Sequence, residues 1–169
     1  MCINKTKKTL SIFFGLLLIL VIFSCKQGND VSDAVGSLVN YNGCKSFSSG
    51  SGNFQSYTQN QECLEYIAGN GILYLKHINA GFNCCPAEIF ADVSFKNGEI
   101  IIEEHEAEQG CFCLCLFDLD YEIRGLEPGL YTVKIIGPYM NDVIFTCAIN
   151  LFDSASGCFC IERDYYPWL

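Results

Sequence analysis

Basic residues are scarce: 10 Lys plus Arg stand against 19 Asp plus Glu in 169 residues, a formal charge of -9. Neutralising a phosphate backbone takes a surface of Lys and Arg, so nucleic acid is excluded as a partner. Histidine is limited to His77 and His105, and His105-Glu106-Ala107-Glu108-Gln109 is not the His-Glu-x-x-His of a zinc protease. Gly-x-Ser-x-Gly and phosphate-binding glycine loops are lacking as well, so no enzyme class is expected. No stretch of the C-terminal two-thirds holds a 3.6-residue apolar period, which argues against a helical domain. Half of the residues are nevertheless apolar and 14% aromatic, too many for a disordered chain, and the length suits one domain.

What is present begins with an address. Lys5, Lys7 and Lys8 precede the apolar run Leu10 to Phe23, which is shorter than the ~20 residues of a membrane-spanning helix and has the length of a signal-peptide core. The run closes on Ile22-Phe23-Ser24-Cys25, which resembles a bacterial lipobox. The resemblance implies cleavage before Cys25, a diacylglycerol on its sulfur and an acylated amino terminus. Such a chain is anchored to a membrane without spanning it, since each buried methylene contributes about 0.8 kcal/mol. Lys26 follows where an Asp would imply retention at the inner membrane, so the cell envelope at the outer membrane is the expected location, on its periplasmic or surface face. Removing residues 1–24 leaves seven basic residues against 19 acidic ones, a charge of -12, so no basic patch assists the anchor.

Three parts are expected: a signal peptide over 1–24, the lipidated Cys25 and a flexible tether over 25–60, and a cysteine-rich domain over 61–169. The tether reading rests on Gly, Ser, Asn and Gln, notably Ser48-Ser49-Gly50-Ser51-Gly52-Asn53, with Cys44 the one residue able to pin it. From Glu62 onward apolar and polar residues alternate with period two, and Gly, Asn and Pro punctuate them. The pattern predicts strands over 62–67, 72–79, 87–95, 99–106, 111–123, 130–137, 143–151 and 158–163. Asn70-Gly71 and Asn97-Gly98 supply the positive-φ residues of tight hairpin turns. The fold class is therefore all-β, an antiparallel sandwich or small barrel. In the longest strand Cys111, Cys113, Cys115, Phe117, Leu119, Tyr121 and Ile123 are expected to share the core face. Phe112, Leu114 and Leu116 would lie on the opposite face under a tail or neighbouring strand, before Asp118, Asp120 and Glu122 return that face to solvent.

Leu126-Glu127-Pro128-Gly129-Leu130-Tyr131-Thr132-Val133 resembles the tyrosine corner of immunoglobulin-like and fibronectin type III sandwiches. That implies a turn between sheets at Pro128-Gly129 and a bond from the Tyr131 hydroxyl to the backbone upstream. The segment from Ile78-Asn79-Ala80-Gly81-Phe82-Asn83-Cys84-Cys85-Pro86 through Cys111-Phe112-Cys113-Leu114-Cys115-Leu116-Phe117-Asp118 is similar to a group of small bacterial lipoproteins without assigned activity.

Besides Cys2 and Cys25, ten cysteines remain: 44, 63, 84, 85, 111, 113, 115, 147, 158 and 160. An even count in an exported chain fits disulfides. Residues i and i+2 of a strand sit about 6.6 Å apart, near the limit for bridged Cα atoms, so Cys111 to Cys113 and Cys158 to Cys160 are poor pairs. Cys84, Cys85, Cys158 and Cys160 are the expected partners of Cys111, Cys113 and Cys115, with at least one of the seven left over. Free core thiols and a thiolate site for Zn(II) or Cu(I) stay open beside the disulfide reading, which needs no cofactor. Glu103, Glu104, Glu106 and Glu108 around His105 lack the Asp-rich spacing of a calcium loop and read as a solvated acidic edge. The terminal Tyr165-Tyr166-Pro167-Trp168-Leu169 reads as a cover over a sheet edge or a contact site. The whole suggests a membrane-anchored structural or binding module for an unknown protein or small ligand, or alternatively a thiol metal-binding protein.

Overall fold

The alternation of apolar and polar residues buries one face of each segment, and the protein becomes a sandwich of two sheets with no helix among its described residues. The computed structural model describes residues 33–46, 57–141, 143–152 and 156–164. The lipobox, Ser48 to Asn53 and the aromatic terminus from Tyr165 lie outside them. The described residues form nine strands, β1 (Val35–Tyr41), β2 (Gln61–Gly69), β3 (Ile72–Asn83), β4 (Pro86–Lys96), β5 (Glu99–Gln109), β6 (Leu114–Arg124), β7 (Leu130–Ile136), β8 (Phe145–Asn150) and β9 (Ser156–Glu162). One sheet has the order β1-β6-β3-β2-β9 and the other β4-β5-β7-β8. All neighbours are antiparallel except β5 and β7, which run parallel.

Turn chemistry sets the registers. Asn70 and Gly71 have φ of 54° and 75°, and Asn97 and Gly98 have 52° and 77°, so both hairpins turn through two left-handed residues whose twist matches the strands. The Tyr131 hydroxyl donates to the Glu127 carbonyl at 2.7 Å, the bond a tyrosine corner requires, and this fixes the path into β7. Where β1 runs against β4, a Cβ on Gly36 would stand 2.5 Å from the Val93 side chain, so the absence of a side chain permits the approach.

Between Ile78 and Ala80 the β3–β6 register shifts by one residue, with Asn79 at φ 65° as the extra residue of a bulge. An inserted residue reverses the alternation: Leu73, Leu75 and His77 face inward before it, Ala80 and Phe82 after it. Asn79 compensates its own burial with side-chain bonds. Its amide donates to the Thr58 carbonyl at 3.0 Å and the Gln61 carbonyl at 2.5 Å, and its oxygen accepts from Lys45 Nζ at 2.7 Å. The bulge therefore ties residues 45 and 58–61 to the sheet.

Two expectations change. The stretch read as a tether contains β1, which pairs antiparallel with β6 from Val35↔Arg124 to Tyr41↔Leu119; its apolar residues do not alternate, with Val35 and Val39 exposed and Gly36 and Leu38 half-buried, so period two did not mark this edge strand. The strand expected over 111–123 starts at Leu114, and Cys111 and Cys113 ahead of it are bridged to Cys85 and Cys84, which precede β4. Of Cys111, Cys113 and Cys115, expected together on the core face, only Cys115 is buried, and Phe112, expected under cover, is fully exposed. Leu116 is buried as anticipated and Asp118 is buried against expectation, with residues 42–45 bonded alongside: Asn42 N to Asp118 O at 3.0 Å and Lys45 N to Leu116 O at 2.9 Å.

Candidate functional site

Sulfur collects at two places. At one end of the sandwich Cys84 and Cys85, between β3 and β4, bond Cys113 and Cys111, while Cys44 beyond β1 bonds Cys115 at the start of β6. Cα separations are 5.5, 5.8 and 5.7 Å, within the range a bridge requires. Asn83 organises this end, its amide donating to the Cys111 carbonyl at 2.6 Å and its oxygen accepting from the Cys85 amide at 2.9 Å. Three sulfurs, those of Cys44, Cys84 and Cys115, lie within 4.8 Å of one another, and so do those of Cys84, Cys111 and Cys113. Reduced, this end would offer soft ligands; oxidised, it is covalently closed.

The second place is the outer face of β2 and β9. Cys160 bonds Cys63 directly opposite, with Cα atoms 4.1 Å apart, and does not reach the Cys111–Cys115 segment as expected. Adjacent pairing of β9 with β2 is the reason: the order of the sheet puts β3 between β2 and β6. Cys158, two residues back on the same face, is an exposed free thiol with its sulfur 3.7 Å from that of Cys160. The Tyr57 hydroxyl stands 3.3 Å from the Cys158 sulfur and donates to Glu65 Oε1 at 2.5 Å. Burial first, then its bonds to Cys158 and Glu65, raise the Tyr57 pKa well above the ordinary phenol value, so this hydroxyl stays protonated. Cys147, the other free thiol among the described cysteines, is buried in β8, and burial pushes its pKa up to about 11. It acts as a small core hydrophobe.

A third arrangement was not anticipated. His77 on β3 is fully enclosed, with Nδ1 2.7 Å from Glu104 Oε1 and Nε2 2.9 Å from Glu62 Oε1. The Tyr121 hydroxyl donates to the same Glu104 oxygen at 2.6 Å, and Arg163, just beyond β9, donates from Nε to Glu62 Oε2 at 2.5 Å and pairs with it through Nη2. Burial alone drives the His77 pKa down. The charge of Glu104 and the hydrogen bonds to Glu104 and Glu62 outweigh it, and the value is pushed up to about 10. The ring is therefore an imidazolium donating to two carboxylates, and with Arg163 the four charges cancel. The Tyr121 pKa lies well above the ordinary value through burial and the neighbouring Glu104 charge. No buried side-chain nitrogen or oxygen among the described residues lacks a partner. The chain of five groups joins the two sheets, Glu104 coming from β5 and His77, Glu62 and Tyr121 from the other sheet.

The acidic edge around His105 is correspondingly revised. Glu103 is exposed, but Glu104 points into the core, and Glu106 accepts from the Asn83 amide at 2.7 Å and the Tyr139 hydroxyl at 2.5 Å. Asp118 likewise leaves the expected wet face: it pairs with Lys45 at 2.5 Å and accepts from the Asn79 amide at 3.1 Å. The signal for the buried charges lay in the alternation. Leu75, Leu64 and Ile102 face inward, and His77, Glu62 and Glu104 each follow or precede one of them by two residues. The chain matches no family model, no curated protein and no solved structure, so these sites rest on their own chemistry.

Proposed function

We propose that the protein is a non-enzymatic lipoprotein of the cell envelope, held to the outer membrane through acylated Cys25, whose disulfide-stapled sandwich serves as a structural or binding module. The observation that carries this reading is the set of four disulfides, since such density belongs to chains exported to an oxidising compartment. The lipobox-like Ile22-Phe23-Ser24-Cys25 supports the anchor. The Tyr131 bond to Glu127 supports an immunoglobulin-like plan for the sandwich, an architecture that hosts many binding functions. Cys25→Ser tests the anchor: it should abolish acylation and leave a precursor heavier by its signal segment and lighter by the acyl chains. Normal cleavage and membrane retention of that variant would defeat the assignment.

A second reading, a thiolate site for Zn(II) or Cu(I), draws on the two sulfur triples at the end of the sandwich. Intact mass separates the two. Each disulfide removes two hydrogens, whereas a metal adds its own mass and leaves its ligands open to alkylation after chelation.

A further inference from the structure

We propose that Cys158, Cys63 and Cys160 form an intramolecular thiol–disulfide exchange site in which Cys158 displaces Cys160 from Cys63 as β9 slides two residues along β2. Three observations converge. A free, exposed thiol sits 3.7 Å from one sulfur of a disulfide, and all three sulfurs lie within 4.8 Å of one another. The Tyr57 oxygen, 3.3 Å from the Cys158 sulfur, accepts a hydrogen bond from the thiol while its own hydroxyl is committed to Glu65, which holds the sulfur on this face. The third is the register. Cys63 lies opposite Cys160, and Cys158 is its diagonal neighbour, at about 7 to 8 Å between Cα atoms and beyond ordinary bridging range.

A slide of one residue would turn every side chain of β9 to the wrong face, but a slide of two preserves the faces. In β9 Cys158-Phe159-Cys160-Ile161 repeats the same alternation, so the slide keeps each type of side chain on its face, at the cost of the Phe159–Tyr66 stack and of the close approach of Gly157 to the Tyr66 ring. Cys158 takes the place of Cys160 opposite Cys63, and Phe159 takes that of Ile161 opposite Glu62. β9 is an edge strand that, among the described strands, is hydrogen-bonded to β2 alone, so one ladder has to shift. Arg163 opposes the slide: its buried pair with Glu62, and its amide bond to the Asn60 carbonyl at 2.7 Å, hold the observed register.

The step is balanced without an outside oxidant. The Cys158 thiolate attacks the Cys63 sulfur, the Cys63–Cys160 bond breaks, and Cys160 leaves as a thiolate that takes up the proton Cys158 lost. The product exposes the Cys160 thiol, moves Arg163 away from Glu62, and so connects the outer-face sulfurs to the buried His77 network.

Peptide mapping of the full-length protein tests this. Protein incubated at alkaline pH without added thiol is alkylated, cleaved after Phe159 to separate Cys158 from Cys160, and sequenced by mass spectrometry. Label on Cys160 together with a Cys63–Cys158 linked peptide, both growing with time and both missing in Cys158→Ser, is the expected result. Label on Cys158 alone at every time, label on Cys63, or Cys160 labelling that persists in Cys158→Ser would overturn it. A second variant gives an independent count. Oxidatively folded Cys160→Ser should bridge Cys63 to Cys158 and leave Cys147 as the one thiol among the nine cysteines that remain besides Cys2 and Cys25. Three thiols, at Cys63, Cys147 and Cys158, would overturn the proposal even if the wild-type exchange proved too slow to follow.

Discussion

Single side chains decide much of the stability here. Tyr131 contributes one bond at the corner, so Tyr131→Phe should cost about 0.5 to 1.5 kcal/mol in a denaturant titration. An unchanged midpoint would make Tyr131 an ordinary strand residue. Asn79 carries more, holding three side-chain bonds and a left-handed backbone at once. Asn79→Ala should cost about 3 to 5 kcal/mol, and Asn79→Gly should recover only the conformational share of roughly 1 kcal/mol. His77 adds a pH dependence whose sign follows from its raised pKa of about 10. Its contribution is complete below the ordinary value near 6.5 and is lost as pH rises toward 10, at up to about 1.4 kcal/mol per unit. Urea midpoints of thiol-alkylated protein at pH 6, 8 and 10 should therefore fall, and His77→Gln should flatten the trend while lowering stability at pH 6. A wild-type midpoint that holds steady through pH 10 would show that the imidazolium is not stabilised by its carboxylates.

The strands show what period two can and cannot reveal. The two Asn-Gly hairpins and the Pro128-Gly129 corner were legible because each requires specific residues at fixed offsets, and the structure places turns at all of them. β1 was not legible, since Val35-Gly36-Ser37-Leu38-Val39-Asn40-Tyr41 reads as a linker unless β6 is known to lie beside it. The reversal of alternation at Asn79 was hidden for a related reason: a bulge is one extra residue, and only the partner strand shows which residue is extra. Cysteine pairing depended on strand order, so Cys84 and Cys85 could be matched to the Cys111–Cys113 turn, whereas the bond from Cys160 to Cys63 followed from β9 lying next to β2. Cys44 extends this logic to the N-terminal element. Cys44→Ser should release the segment beyond β1, lower stability by about 2 to 4 kcal/mol and open residues 42–46 to limited proteolysis. Unchanged protease resistance would mean that the β1–β6 ladder holds the segment unaided.

For the molecule as a whole, four bridges at typical strength rival the net stability of a domain of this size. Thermal unfolding should shift sharply downward with a phosphine reductant and stay unchanged with a chelator. A shift with the chelator alone would favour the metal reading.

The bridges also redraw the route along which tension travels. By backbone, Cys44 and Cys160 are about 116 residues apart, an extended length of about 400 Å. Through sulfur the route jumps from Cys44 to Cys115, steps back to Cys113, crosses to Cys84, follows the backbone to Cys63 and crosses again to Cys160. That path holds about 23 backbone steps, roughly 80 Å when taut. Pulled at Cys44 and Cys160, the oxidised domain would behave as a short link, with some four-fifths of the contour between those two residues locked in loops that bear no load until a sulfur bond is cut.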